Sequence, residues 1–414
     1  MNSILRIFLL LVLAAFTAAC ASTPPAKAPP ARAPVLLISL DGFRPDYLKR
    51  GVTPTLSQLA ANGASVPEGM RPAFPSMTFP NHYTLVTGLP PGRHGLVNNT
   101  MTDPAIPNVL FSLGNRAAVI DRRWWDQATP LWVSAERQGL KSATMFWPGS
   151  ESDIQGVRPR DWKVYDYNLP AATRVNTVLE WLDRPAETRP DFITLYFETV
   201  DSAGHRHGPD SDETNAAIAA LDKALGDLIA GLKQRDLIDR INLVIVADHG
   251  MAAIAPERVV FIDDMVDLAA LAPANYAGPF VGFTPAPGRE ADVAAALAKP
   301  RAHVQCWPKA DLPARFAYNA HVRIPPFICL AETGWWMATR ATFATTPPRG
   351  GAHGYDPIDP QMAALFIAHG PAFKPGATLA PFENVDVYPL LVQLLAITPE
   401  DHAGDKKTTA PALK

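Results

Sequence analysis

The feature that most constrains this chain is a short apolar run ending on an acid, and it occurs three times. Val35 to Leu40 reads Val-Leu-Leu-Ile-Ser-Leu and stops at Asp41-Gly42; Ile193 to Thr199 leads into Asp201; Ile241 to Ala247 leads into Asp248-His249. Runs that are apolar at consecutive rather than alternate positions belong to strands covered on both faces, the condition of a parallel sheet. Open α/β sheets bind ligands beyond the carboxyl ends of their strands, so the acids are expected together at one edge. Between the second and third runs, Ile218, Leu221, Leu225, Leu228 and Leu232 recur at spacings of 3, 4, 3 and 4, which predicts one buried helical face and hence a strand-helix-strand unit. Ala363 to Ala368 predicts a further strand, and Val385 to Ile397 a helix with Pro389 near its start.

The ends and the middle of the chain are less regular. Arg6 precedes an apolar run, Ile7 to Phe16, that is too short to span a bilayer, and Thr17-Ala18-Ala19-Cys20 follows it. Residues 1–20 are therefore expected to be an export signal of the lipoprotein type with Cys20 as the lipidated residue, the alternative being an ordinary signal peptide cut near Ala19 or Ala21. Residues 21–34 are rich in Ala and Pro and are expected to be an extended tether. The expected location is the periplasm or cell envelope, with a possible membrane tether through Cys20. From about Pro256 to Thr346 the periodicity weakens among prolines and aromatics such as Trp307, Phe316, Trp335 and Trp336. The division expected is a catalytic domain over 35–255 and 347–414, with an inserted α+β subdomain over 256–346. Cys306 and Cys329 can pair in an oxidising compartment or remain buried thiols. With 414 residues, 48% hydrophobic, the chain can bury a large core, and its formal charge of -3 carries no basic excess for a duplex nucleic acid.

Chemistry concentrates at the strand ends. Asp201 and His205 stand four residues apart, Asp248 and His249 are adjacent, and His353 lies between small residues in Gly351-Ala-His-Gly. With Asp41 these make six candidate ligands, and carboxylate oxygen mixed with imidazole nitrogen suits zinc or a similar divalent ion. They surround one threonine-containing segment, Pro75 to Gly88. Pro80 fits a first helical turn and Gly88 a stop, so Thr78 is expected at a helix start, where free N–H groups favour an anion.

Thr78-Phe-Pro-Asn-His-Tyr, with the downstream Thr-Gly-Leu-Pro-Pro-Gly-Arg-His-Gly, resembles the nucleophile segment of the nucleotide pyrophosphatase/phosphodiesterase family of the alkaline phosphatase superfamily. The resemblance continues through Trp147-Pro-Gly-Ser, Asp201-Ser-Ala-Gly-His205-Arg-His-Gly-Pro, Ala247-Asp248-His249-Gly-Met, Gly-Ala-His353-Gly-Tyr and Phe382-Glu-Asn-Val-Asp-Val-Tyr388. It implies an alkaline-phosphatase-like α/β fold with a central, mostly parallel sheet flanked by helices. It implies two zinc ions, one held by Asp201, His205 and His353, the other by Asp41, Thr78, Asp248 and His249. Thr78 would be the nucleophile, Asn99 a ligand of the phosphate oxygens, and Phe79 and Tyr165 the walls of a nucleobase pocket.

A threonine hydroxyl is a weak nucleophile at neutral pH, and coordination to a dication is one way to populate its alkoxide. Alkaline phosphatases of the familiar type place Arg beside the nucleophile, where this chain has Phe79, an apolar neighbour that tolerates a second ester substituent. Sulfatases need a C-x-P-x-R context, and Cys306-Trp-Pro-Lys309 lacks the arginine. The expected reaction is hydrolysis of a phosphodiester or pyrophosphate with release of a nucleoside 5'-monophosphate through a covalent Thr78 intermediate. The alternatives are action on lysophospholipid or glycerophosphodiester head groups, and a non-catalytic surface protein that binds metal or phosphate.

Overall fold

A computed structural model describes residues 32–414, Asn275 excepted. The expected signal at 1–20, Cys20 and the tether up to residue 31 lie outside the described residues. The main sheet uses eight strands: β1 Val35–Leu40, β2 Ala64–Ser65, β3 Ser142–Met145, β4 Asp161–Trp162, β5 Phe192–Phe197, β6 Asn242–Val246, β7 Phe366–His369 and β8 Ala377–Thr378. Their spatial order is β8-β2-β7-β6-β1-β5-β3-β4. β1 lies between β5 and β6 and is parallel to both, and every residue of these three strands is buried. This explains why they read as unbroken apolar runs. β7, the expected strand near Ala363, runs antiparallel to β6, so the sheet is mostly rather than wholly parallel.

Register decides where the acids emerge. Leu40 pairs with Phe197 and Ser39 with Val246, and Asp41 N–H donates to Phe197 O at 2.9 Å. Asp41 and Asp248 therefore leave the sheet at the same level. β5 stops at Phe197, two residues before the predicted end, because helix α3 (Thr199–His207) begins there and carries Asp201 in its first turn. α3 follows α1 (Thr78–Thr87) and α2 (Ala171–Leu182), and is followed by α4 (Asp212–Gln234), whose Ile218, Leu221, Leu225, Leu228 and Leu232 are all buried. Ser211 caps α4 by accepting from Thr214 N–H at 3.1 Å. The helix expected near the end is α5, Val387–Leu395, with Pro389 in its first turn.

The stretch 256–346 builds small sheets of its own. Phe280–Phe283 and Val304–Pro308 both pair antiparallel with Phe327–Ala331. Cys306 faces Cys329 across this ladder, and the two are joined as a disulfide. Ile262, Val281, Phe283, Val293 and Met337 belong to an apolar cluster separate from that of the main sheet. The stretch is fastened to residues 74–124 by buried contacts. Phe316 stacks on Phe74 with centroids 4.0 Å apart, Tyr318 Oη donates to Val97 O at 2.6 Å, and the Arg323 guanidinium pairs with Asp103 at 2.6 Å.

Candidate active site

All six predicted ligands and Thr78 converge beyond the carboxyl end of β1. Oxygen and nitrogen atoms of Asp201, His205 and His353 lie within 4.8 Å of one another, as do those of Asp41, Asp201 and His249. His249 Nε2 lies 2.9 Å from Asp248 Oδ2 and 3.6 Å from Asp41 Oδ1, and its ring stacks on His353 with centroids 3.6 Å apart. Asp201 and His205 meet as successive turns of α3, with Nε2 to Oδ1 at 3.4 Å. His353 does not follow a strand of the main sheet; it follows Gly351–Ala352, whose partner among the described residues is Ala252–Ala253. Gly42, at φ +67°, lets the Asp41 loop pass against α3, since a Cβ there would stand 3.0 Å from that of Asp201.

The histidines are pre-oriented. Nδ1 of His205 is 2.8 Å from Gly351 O, that of His249 is 2.9 Å from Gly250 O, and that of His353 is 2.7 Å from Ser76 O. A carbonyl only accepts, so in each case Nδ1 carries a proton and Nε2 is the nitrogen turned to the cluster, the orientation that a metal ligand needs. Opposite those nitrogens, Asp41 Oδ1, Asp201 Oδ1 and Asp248 Oδ2 are buried without a hydrogen-bond partner. Native interiors rarely leave such atoms unmatched, and a divalent cation would satisfy them together. The residues present thus fit a metal centre.

Electrostatics shows the same tension. Burial, with Asp248 and Asp201 alongside, holds the Asp41 carboxyl well above the usual carboxylate range. Burial also raises Asp201. Asp248 is held well below that range because His249 and His82 outweigh its burial. Burial, with His249 and His205 as neighbours, pushes His353 well below the ordinary histidine value.

Thr78 is the first residue of α1, which ends as expected at Gly88, a left-handed cap whose N–H donates to Thr84 O. Thr78 Oγ1 lies 3.3 Å from His249 Nε2. The next N–H, that of Phe79, donates to Asn99 Oδ1 at 2.9 Å, so Asn99 lies beside the helix start with its NH2 group free of that bond. Phe79 and Tyr165 line one cavity of about 340 Å³, together with Phe146, Trp147 and Tyr196, and the cavity floor includes Asp41, Thr78 and Asp201. Asn99, His205 and His353 line a second cavity of about 640 Å³.

Two supporting residues escaped sequence reasoning. His82 is fully buried, bonds Ser39 Oγ through Nε2 at 2.8 Å and Thr78 O through Nδ1 at 2.9 Å, and reaches Asp248 at 3.4 Å. Its position four residues after Thr78 put it on the same helical face, a signal already present in the Thr-Phe-Pro-Asn-His spacing. Tyr196 Oη donates to Asp41 Oδ2 at 2.7 Å; no local pattern marks a tyrosine in a buried strand as the partner of an acid on its neighbour.

Comparison with known proteins matches residues 35–356 to the family model described as Type I phosphodiesterase / nucleotide pyrophosphatase. The chain is 37% identical over 390 residues to an uncharacterized pyrophosphatase/phosphodiesterase of Schizosaccharomyces pombe, covering 91% of this chain and 80% of that protein. It is also 37% identical to ectonucleotide pyrophosphatase/phosphodiesterase family member 1 of Mus musculus, covering 96% of this chain. A venom phosphodiesterase of Macrovipera lebetinus is 37% identical over 93% of this chain. The chain spans less than half of these last two proteins, 44% and 46%. Among solved structures, human ectonucleotide pyrophosphatase / phosphodiesterase 5 superposes with a TM-score of 0.87 at 35% identity, covering 92% of this chain and 99% of that one. An inactive threonine-to-alanine variant of the murine protein in complex with AMP gives a TM-score of 0.86 at 33% identity, covering 92% of this chain and 100% of that one. The α/β architecture is thus alkaline-phosphatase-like.

Proposed function

The chain belongs to the type I phosphodiesterase / nucleotide pyrophosphatase family, a family of hydrolases, and from that premise we propose that it releases nucleoside 5'-monophosphates from phosphodiesters or pyrophosphates through a covalent intermediate on Thr78. One observation carries the reading: a hydroxyl at a helix start lies 3.3 Å from His249 Nε2, in a cluster where three buried carboxylate oxygens have no hydrogen-bond partner. The murine relative captured with AMP, inactive as a threonine-to-alanine variant, supports both the ligand class and the importance of a threonine.

Two zinc ions are the proposed cofactors, one held by Asp201, His205 and His353, the other by Asp41, Thr78, Asp248 and His249. When bound they supply positive charge against the phosphate oxygens and Lewis acidity at the reacting ones. The residues of the chain do the rest. Phe79 and Tyr165 hold the base in the smaller cavity. Asn99, with its Oδ1 fixed by Phe79 N–H, offers its NH2 group to a phosphate oxygen. Thr78 Oγ1 attacks phosphorus in line with the departing oxygen, and water then cleaves the Thr78 phosphoester to free the monophosphate. His82 holds the Thr78 carbonyl and so the angle at which the hydroxyl is presented. In the same reading the stretch 256–346 is an inserted subdomain, the chain is exported to the periplasm or cell envelope with a lipid tether at Cys20, and duplex nucleic acid is not a partner.

Thr78→Ala tests the reading. Turnover of the 4-nitrophenyl ester of thymidine monophosphate is expected to fall by about a thousandfold or more while bound zinc is largely retained. Substantial residual turnover would contradict it. A higher kcat/KM on 4-nitrophenyl phosphocholine than on the nucleotide ester would replace the nucleotide by a lipid head group.

A further inference from the structure

The two cavities divide the cluster between them. Thr78, Asp41 and Asp201 face the smaller one, whereas Met77, Asn99, His205 and His353 face the larger. They separate at consecutive residues of the helix start, Met77 and Thr78. In an in-line displacement the departing oxygen stands opposite Thr78 Oγ1 and the retained nucleoside hangs from an equatorial oxygen, so the two halves of a substrate leave phosphorus in different directions. With the retained nucleoside in the smaller cavity, the larger one takes the half that departs.

Beyond the metal position proposed at His205 and His353, the lining of that larger cavity carries little charge. Among its described residues there is no lysine, aspartate or glutamate, and Arg323 is the sole arginine. Arg323 is 4% exposed, and its guanidinium is already matched by Asp103 Oδ2 at 2.6 Å, by the carbonyls of Gly95 and Trp124 at 2.8 Å, and by that of Arg123 at 3.1 Å. The walls offer instead the rings of Tyr276, Phe280 and Trp336, with Asn98 and Thr100 among the polar groups. A departing pyrophosphate carries about three negative charges and needs guanidinium or ammonium partners. A departing nucleoside is neutral, and a base stacked on an aromatic ring is worth about 1–3 kcal/mol.

We propose that the larger cavity is the subsite of the departing half and that it selects an uncharged, ring-bearing alcohol, such as a second nucleoside, over pyrophosphate. The proposal rests on the activity proposed above and specifies its substrate class. In the reaction, the Thr78 Oγ1–P bond forms as the P–O bond to the departing alcohol breaks. That oxygen leaves with the electron pair and takes up a proton. Water then replaces Thr78 on phosphorus, so the sum is diester plus water giving nucleoside monophosphate plus alcohol.

The test uses the zinc-loaded full chain and three substrates with the same retained half: thymidylyl-thymidine, thymidine triphosphate and the 4-nitrophenyl ester of thymidine monophosphate. The dinucleotide is expected to exceed the triphosphate in kcat/KM by about tenfold or more. Thr100 and Thr284 are exposed residues of this cavity, and Thr100→Lys and Thr284→Lys, checked for native melting temperature, should each raise the triphosphate-to-dinucleotide ratio by about fivefold. Trp336→Ala should lower the dinucleotide's kcat/KM relative to the triphosphate's. A native chain that prefers the triphosphate, or a ratio that none of these variants moves, overturns the proposal while leaving the activity in place. Failure to cleave even the nitrophenyl ester removes the activity itself, and the proposal with it.

Discussion

The walls of the two cavities around Thr78 use buried charge in opposite ways. In the smaller one, ion pairs stand at the lining itself. Glu198, a lining residue, receives both branches of the Arg174 guanidinium at 2.6 and 2.9 Å, and Glu151 pairs with Arg116. Arg174 also holds Leu169 O and Tyr196 O at 3.0 Å, and Glu151 Oε1 accepts from Tyr165 N–H at 3.1 Å. These charges therefore fix the loop that brings Tyr165 over the cavity. In the larger cavity the corresponding fastener, Arg323, points away from the space and into the body of the protein. Charge at the first wall shapes a face, whereas charge at the second clamps a face that is itself neutral.

The strongest way to break this contrast is to remove the clamp. Arg323→Met leaves Asp103 buried without its partner, and stability is expected to fall by about 3–5 kcal/mol in a urea titration. A loss under about 1 kcal/mol would show that the stretch 256–346 is held mainly by its apolar contacts. Next comes the lining that the smaller cavity shares with the candidate metal site. Tyr196→Phe removes the donor to Asp41 Oδ2 and should weaken binding of the proposed zinc by about tenfold, read by competition with a chelator. Unchanged affinity would make Tyr196 a wall residue only. The smallest effect is expected at Tyr165, which is 41% exposed. Tyr165→Ala should reduce kcat/KM on the thymidine ester by about fivefold and leave the urea midpoint in place. A change in stability instead would assign the ring to packing against Phe146 and Tyr196, its edge-on neighbours.

What the sequence disclosed follows from burial on both faces. β1, β5 and β6 are the middle of the sheet and so carry an unbroken apolar signal, and the acids that follow them can be placed from that signal alone. β2 and β8 are two residues long and exist by pairing with distant strands; a pair of residues carries no period, so nothing in the sequence announced them. β3, Ser-Ala-Thr-Met, hides because Thr194 and Thr144 lie opposite each other inside the sheet and give it a polar reading. Within the site, the clustered acids and histidines were legible as candidate ligands because metal chemistry restricts residue types. Tyr196 and the matched charge of Arg323 were not, since each depends on contacts across many residues, |i−j| of 155 for Tyr196 to Asp41 and 220 for Arg323 to Asp103. The pairing of Cys306 with Cys329 was open for the same reason, and was decided by the register of two strands.

The division of labour along the chain has a consequence for how such a protein can change. The groups proposed to make and break the bond come from positions 41, 78, 201–205, 248–249 and 353, while most of the aromatic rings that line the two cavities come from 146–167 and from 272–336. Substitutions in either of the latter stretches can retune which molecule is accepted without disturbing the machinery that cuts it. Each can also vary independently of the other, so a lineage carrying this architecture is free to exchange one half of its diet at a time.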